Sequence, residues 1–367
     1  RTLRVPSAYR SVQAAVDASR PGDTVLIARG LYHEAVTVGP SHRGITIRGV
    51  DRNTVILDGD SGSLITGITV HADAVTVENL TIRRYAVNGL VFAPPAAASD
   101  DDDEYGTTST SAGSPATLSG WRGSYITAYD NGLYGVYAFQ ARGGSFDHVY
   151  ASGQPDSGIY VGQCRPCDAT VTASVAVDDA VGYEDTDATG VTVRGVVLRA
   201  NRIGALLDSD IKERMAPQAR VTLTASTLAG NDNARAPTGD QGFGAGVVIS
   251  GGDDDLIDDD RIAGQPLGVV VADAPPQAGG FQATDNRVLD DRLSSSSLDL
   301  DLLTGAVSQG NCFAGDHPRA TFPARIERVT ACGRSVALRG TPRALPANPP
   351  PVDYLDVPAP PPQPSMP

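Results

Sequence analysis

Aromatic residues, methionine and lysine are scarce in this chain of 367 residues. It holds one lysine (Lys212), two methionines and one tryptophan, and aromatic residues make up 5% of it. So few rings argue against a broad globular core and favour a narrow one lined by Val, Ile, Leu and Ala. The formal net charge of -14 and the lack of clustered Lys and Arg exclude nucleic acid as a partner, because phosphate binding needs such clusters. No run of 18 or more apolar residues occurs, so no helical segment is expected to span a membrane. Five histidines leave little for a zinc or copper centre. The chain opens at Arg1 with neither Met nor a signal-like apolar segment, which reads as a processed mature N-terminus of a secreted or cell-surface protein, or equally as a trimmed one.

Glycine, by contrast, is abundant and periodic. A glycine followed by a short apolar strand stands at Gly135, Gly158, Gly182, Gly204, Gly246 and Gly268, at spacings of 23, 24, 22, 42 and 22 residues. A unit this short cannot bury its own apolar face and must stack on its neighbours. The expected fold is therefore all-β: a right-handed parallel β-helix, with Val12–Ala18 as a short amphipathic helix capping its open end, N-capped by Ser7 or Ser11. Corners are expected at Asn88-Gly89, Asn131-Gly132 and Asn201–Gly204, where Asn and Gly tolerate a left-handed backbone.

One domain is expected over residues 1–341, followed by a proline-rich tail over 342–367 that favours extended polyproline II and lies outside the core. Two stretches read as insertions: 93–119, with an acidic run at 100–104, and a milder one at 211–241 that accounts for the spacing of 42. Cys164, Cys167, Cys312 and Cys332 read as two disulfides of an oxidising compartment, with a Cys312–Cys332 bridge closing a late loop; free thiols and a metal site are the alternatives.

The segments Ser11–Val16, Pro21–Val25, Gly30–Val36, Ile45–Gly49 and Val77–Ile82 resemble the pectin-lyase-like superfamily in its β-helix-repeat, NosD-like branch. The stretches 120–125, 162–167 and 310–313 resemble secreted actinobacterial β-helix proteins of unassigned activity. The resemblance spans roughly residues 1–335. It implies the fold and a superfamily rich in carbohydrate enzymes, but no single reaction. The Asp-Phe-Ile-Phe-Gly element of pectin methylesterases is absent, and two Met with five His make no copper-rich patch.

Period-two alternation sets the register. Residues one and three after each glycine point inward and those two and four after it point outward. Tyr137, Tyr160 and Glu184 should then form one outward column, with Asp208 one coil and two residues from Glu184, about 8 Å away between backbones. The candidate catalytic residues are Glu184, Asp187 and Asp208. The candidate sugar-contacting residues are Tyr137 and Tyr160, with Gln140 and Gln163 just past their strands. Asp185 falls at an inward position and calls for a strand end or for a partner such as Arg or Ca²⁺. His148, beside Asp147, is either an acid/base group or a surface histidine near a turn. The runs Asp253–Asp255 and Asp258–Asp260 make Ca²⁺ the one cofactor the sequence admits. These residues suggest a polysaccharide-active hydrolase or lyase. The alternatives are a non-catalytic glycan-binding or adhesion module, and an accessory subunit of an envelope protein complex.

Overall fold

The chain winds as a right-handed parallel β-helix. The computed structural model describes residues 1–95, 117–212, 214–237, 242–340 and 346–367, so the acidic run at 100–104 and most of the 93–119 stretch lie outside the described residues. A representative coil has three short strands, Ala169–Thr172, Val175–Val177 and Val181–Thr186. Each pairs in parallel with its counterpart one coil later: Val171 with Val193, Ala176 with Leu198, Tyr183 with Ala205. Third strands build one 11-stranded sheet, and first and second strands share a 20-stranded sheet. The core is the stack of inward side chains, including Val136, Ala138, Ile159, Val161, Ala205, Leu207, Val247 and Ile249, all fully buried.

The capping helix spans Val12–Asp17 and buries Val12, Ala15 and Val16. The Ser11 hydroxyl accepts the Ala14 N–H, and the Glu34 carboxylate accepts those of Val12 and Gln13 at 3.0 and 3.1 Å. Two otherwise orphaned helix donors are thus satisfied from the next coil. The Gly30–Glu34 element therefore has a structural role: the Tyr32 hydroxyl donates to the Ala28 carbonyl while Glu34 holds the cap.

The repeating glycines answer a steric demand and not a conformational one. A Cβ on Gly204 would lie 2.4 Å from the Gly246 carbonyl oxygen, and one on Gly246 would lie 2.6 Å from that of Gly268. Neither has positive φ. The left-handed corner positions fall elsewhere than expected, at Asp130 (φ 52) and Ala200 (φ 55), one residue before Asn131 and Asn201. Those asparagines turn inward and form a ladder with Gln154, Asp179, Asn231 and Gln265, each no more than 1% exposed. Asn201 Oδ1 accepts the Asp179 N–H at 3.0 Å, and Asn201 Nδ2 donates to the Ala176 carbonyl at 3.2 Å. Corner amides that the strands leave unpaired are satisfied in this way.

A second ladder is built from acids. Asp260 Oδ1 accepts the Ser226 N–H at 2.6 Å, Asp291 that of Asp260 at 2.7 Å, Asp316 that of Asp291 and Glu327 that of Asp316, both at 2.9 Å. The Oδ2 atoms of all three aspartates are buried without a partner among the described residues. Burial pushes Asp260 and Asp316 up to about 7 and Asp291 up to about 9. These carboxyls are thus most stable protonated.

Two stretches differ from expectation. Within 211–241, Thr222–Thr224 and Thr227–Ala229 are ordinary strands of the ladder, so the extra length divides into two loops flanking them. The described C-terminal residues 346–367 do not hang free but run back along the stack. Arg202, 1% exposed, donates to Asn348 Oδ1 and to the carbonyls of Pro349 and Pro350 at 2.9, 3.1 and 3.0 Å. Val357 is buried over Gly153. Gln363 and Asn53 exchange two hydrogen bonds of 2.8 Å, Ser365 bonds Asp51 at 2.7 Å, and the Met366 N–H reaches Asn79 Oδ1 at 2.9 Å. An extended proline-rich backbone has carbonyls free to accept, and these buried side chains supply the donors. Both disulfides form, Cys164–Cys167 and Cys312–Cys332.

Gly204→Ala should destabilise the fold by about 1–3 kcal/mol, the usual cost of overpacking, read as a fall in urea midpoint; an unchanged midpoint would contradict the close approach. The acid ladder sets a pH trend. The folded chain holds protons that the unfolded chain releases above about pH 4, so this contribution is complete below that pH and is lost as pH rises through 7 to 9. Asp291→Asn keeps an acceptor and needs no proton; it should raise the melting temperature at pH 9 and flatten the decline from pH 6, as measured by calorimetry.

Candidate functional site

The third-strand sheet carries the predicted column in register: Tyr137 pairs with Tyr160, Tyr160 with Glu184 and Glu184 with Leu206. The column is less open than its alternation suggests, since Tyr160 is 4% and Glu184 7% exposed. Tyr160 lies down over Gly162, where any Cβ would strike its ring. Its ring stacks on Tyr137 at 4.6 Å, and Tyr134 packs against both at 4.6 and 5.1 Å. Phe139 continues the layer parallel to Tyr137 at 5.6 Å. Tyr134, Tyr137 and Phe139 stay half-buried, so these three present the usable aromatic surface while Tyr160 supports it.

Beside the rings lies a group of carboxyls. Glu184 shares a hydrogen bond with Asp156 and feels Asp208 through space; burial and these like charges raise it well above the usual carboxylate range. The Thr186 hydroxyl donates to Glu184 Oε1 at 3.3 Å. Asp208 pairs in register with Thr186 and Ser250; burial raises it to about 6, against a stabilising hydrogen bond from Ser250. Two acids that share one face and differ in proton affinity are the elements of acid–base chemistry.

The other predicted residues are placed elsewhere. Asp187 is fully buried at a left-handed corner (φ 51), where its carboxylate accepts the Gln163 amide and the Asp210 N–H at 3.2 Å. Gln163 is also left-handed and 1% exposed, and its Oε1 accepts the Met215 N–H at 3.2 Å. This pair fastens the loop after Asp208 and does not face the tyrosines. Gln140 occupies the equivalent corner of an earlier coil. The backbone reverses at these positions, so the outward alternation of the preceding strand stops before them.

Asp185 meets neither a strand end nor an arginine among the described residues, and its Oδ1 is buried there without a partner. The strand runs on to Thr186, and Tyr183 Oη lies 3.2 Å from Asp185 Oδ2 inside the coil. Burial and the nearby Asp255 raise the Asp185 carboxyl well above its ordinary range. The acidic runs disperse: Asp255 and Asp260 turn inward into ladders, while Asp254 and Asp259 face out to Arg287 and Arg292. Among the described residues no group of three His, Cys, Asp or Glu is arranged to hold a metal ion. Sequence reasoning missed Asp156 and Tyr134, which lie just before their coils' glycines. Their distance of two or fewer residues from the strand was the available signal.

The parallel sheets and their one-rung register are the features to compare with known folds. The fold is shared with solved right-handed parallel β-helix structures. No protein-family model matches the chain, and no curated protein sequence does. Among solved structures it is similar to the mannuronan C-5 epimerase AlgE6 A-module of Azotobacter vinelandii, at 16% identity over 84% of this chain and 90% of that one, with a TM-score of 0.51. It is also similar to the endo-xylogalacturonan hydrolase of Aspergillus tubingensis, at 13% identity over 88% and 92%, TM-score 0.53. A third similarity is to tailspike protein 2 of bacteriophage CBA120, at 9% identity over 82% of this chain and 44% of that one, TM-score 0.54. At such identities the likeness concerns the fold.

If Gln163 fastens the loop after Asp208, Gln163→Ala should speed tryptic cleavage at the exposed Lys212 severalfold through local opening. Cleavage at the wild-type rate would count against that role.

Proposed function

We propose that this chain is a secreted polysaccharide-active enzyme, a hydrolase or lyase, that binds a glycan across Tyr134, Tyr137 and Phe139 and reacts it at Glu184 and Asp208. The observation that carries this reading is the differing proton affinity of two carboxyls beside an aromatic layer. Glu184, held protonated by burial and by Asp156, would donate its proton to the leaving glycosidic oxygen. Asp208, raised to about 6, is ionised at neutral pH. In a hydrolase it would take a proton from the attacking water, which adds across the broken bond. In a lyase it would take the proton alpha to a uronate carboxyl. The two backbone positions lie roughly 8 Å apart, one rung and two residues, so side-chain direction decides between the carboxyl spacing of inverting glycosidases, about 6.5–9.5 Å, and that of retaining ones, about 5–5.5 Å. The carbohydrate-active similarities in fold and the two disulfides are consistent with this function and with an extracytoplasmic location.

The burial of Glu184 favours a second reading, a non-catalytic glycan-binding module in which the carboxyl group only buttresses the rings. The two separate cleanly on a panel of acidic and neutral polysaccharides assayed for released sugar and for unsaturated product. The enzyme reading expects Glu184→Gln and Asp208→Asn each to lower turnover at least 100-fold, with polysaccharide retention intact. It also expects activity to rise as pH passes about 6, where Asp208 ionises. Turnover that survives both substitutions removes the assignment, whereas retention that depends on Tyr137 without any turnover establishes the binding module.

A further inference from the structure

The corner between first and second strands holds a feature outside the site above. Tyr125 and His148 occupy it on consecutive rungs with left-handed backbones, φ 52 and 53. Elsewhere the corner uses Asn79, Ala173, Gly195 and Ala225, small or turn-favouring residues. Bulky rings at positive φ are costly. Here they are stacked nearly parallel, 4.3 Å apart with 5° between planes. Asp147 fixes the imidazole, with Nδ1 at 3.1 Å from Oδ2; the same carboxylate accepts the Ser124 hydroxyl at 2.8 Å and Arg122 Nε at 3.1 Å.

The stack ends abruptly. On the next two rungs the ladder position is Ala173 and then Gly195, which has nothing within 4 Å of where a Cβ would stand. His148, whose side chain is 46% exposed, thus turns one ring face toward a step above a floor of a methyl group and a glycine. A rung is about 4.8 Å high, close to the thickness of one more stacked ring. Arg194 is exposed and in register with Thr172 beside this floor, its carbonyl accepts the Ala173 N–H, and its guanidinium has no ion pair among the described residues.

We propose that this step is a carbohydrate-binding subsite, where a pyranose lays its C–H face on His148 above Ala173, with its hydroxyls within reach of Asp147 and Arg194. The choice of a sugar rests on the glycan reading above; the site itself lies on a different face and uses none of its residues. In a further coil of polymer the chain would continue along the Ala173–Gly195 floor.

The test uses the full chain. With only five histidines, the His148 imidazole C–H signals can be followed by NMR during titration with methyl pyranosides of glucose, galactose and galacturonic acid and with their short oligomers. The expected result is a saturable shift of His148 with at least one probe, unchanged in Glu184→Gln. It should be lost in Ala173→Trp, checked by circular dichroism for an intact fold. His148→Ala should lower polysaccharide retention about three- to tenfold, the range of aromatic stacking. His148 signals that stay fixed across the panel overturn the subsite, even if the Glu184 face proves catalytic. Shifts at His148 sustain it even if that face proves inert.

Discussion

Interior strands of this protein hydrogen-bond to the strand one coil above and one coil below, so rung height is the constraint on which everything else depends. Residues one coil apart, as close in the chain as Thr2 and Thr24 or as distant as Thr76 and Arg122, become vertical neighbours, and whatever stands at one corner must fit within the height of one rung. The repeating glycines follow from this: at Gly135, Gly182, Gly204 and Gly246 the carbonyl of the next glycine occupies the space of a side chain. Stacked rings, amide ladders and the acid ladder follow as well, because like side chains repeated at one rung height meet in contact.

The same constraint concentrates unusual chemistry at the outer faces and corners. Inward positions are nearly all aliphatic, and the Tyr183–Asp185 pair is a polar exception, bonded within its own coil through Asp185 Oδ2 while Oδ1 is buried without a partner among the described residues. Outward positions on the third-strand sheet, with the residue just before one of its strands, bring together carboxyls that are distant in the chain, Glu184, Asp208 and Asp156. Packed against tyrosines and partly shielded from water, such groups hold protons that free carboxyls would release. Their chemistry comes from the stacking and not from any local motif.

The C-terminal segment shows how a proline-rich sequence becomes part of a solenoid without adding a strand. Proline has no N–H to give to a ladder, but its carbonyls accept. Arg52 and Arg202, almost fully buried and in no salt bridge among the described residues, find those carbonyls. Burial lowers Arg52 to about 10, so it remains charged, and donors on several rungs tie the segment to the stack.

By itself the sequence determined the coil, the inward set and the column of Tyr137, Tyr160 and Glu184, because a fixed period with strict alternation leaves one register. It also determined the capping helix at Val12–Asp17, through Ser11 and apolar residues at helical spacing. Only the tertiary structure decided what happens where alternation stops. At left-handed corners Gln163 and Asp187 turn from the expected glycan face to hold a loop, while Asn131 and Asn201 turn inward. It likewise decided that Asp156 and Tyr134 join the site, that Tyr160 lies beneath its neighbours, and that the tail folds back. Those outcomes depend on contacts between segments up to 314 residues apart, which a local pattern of apolar and polar residues does not encode.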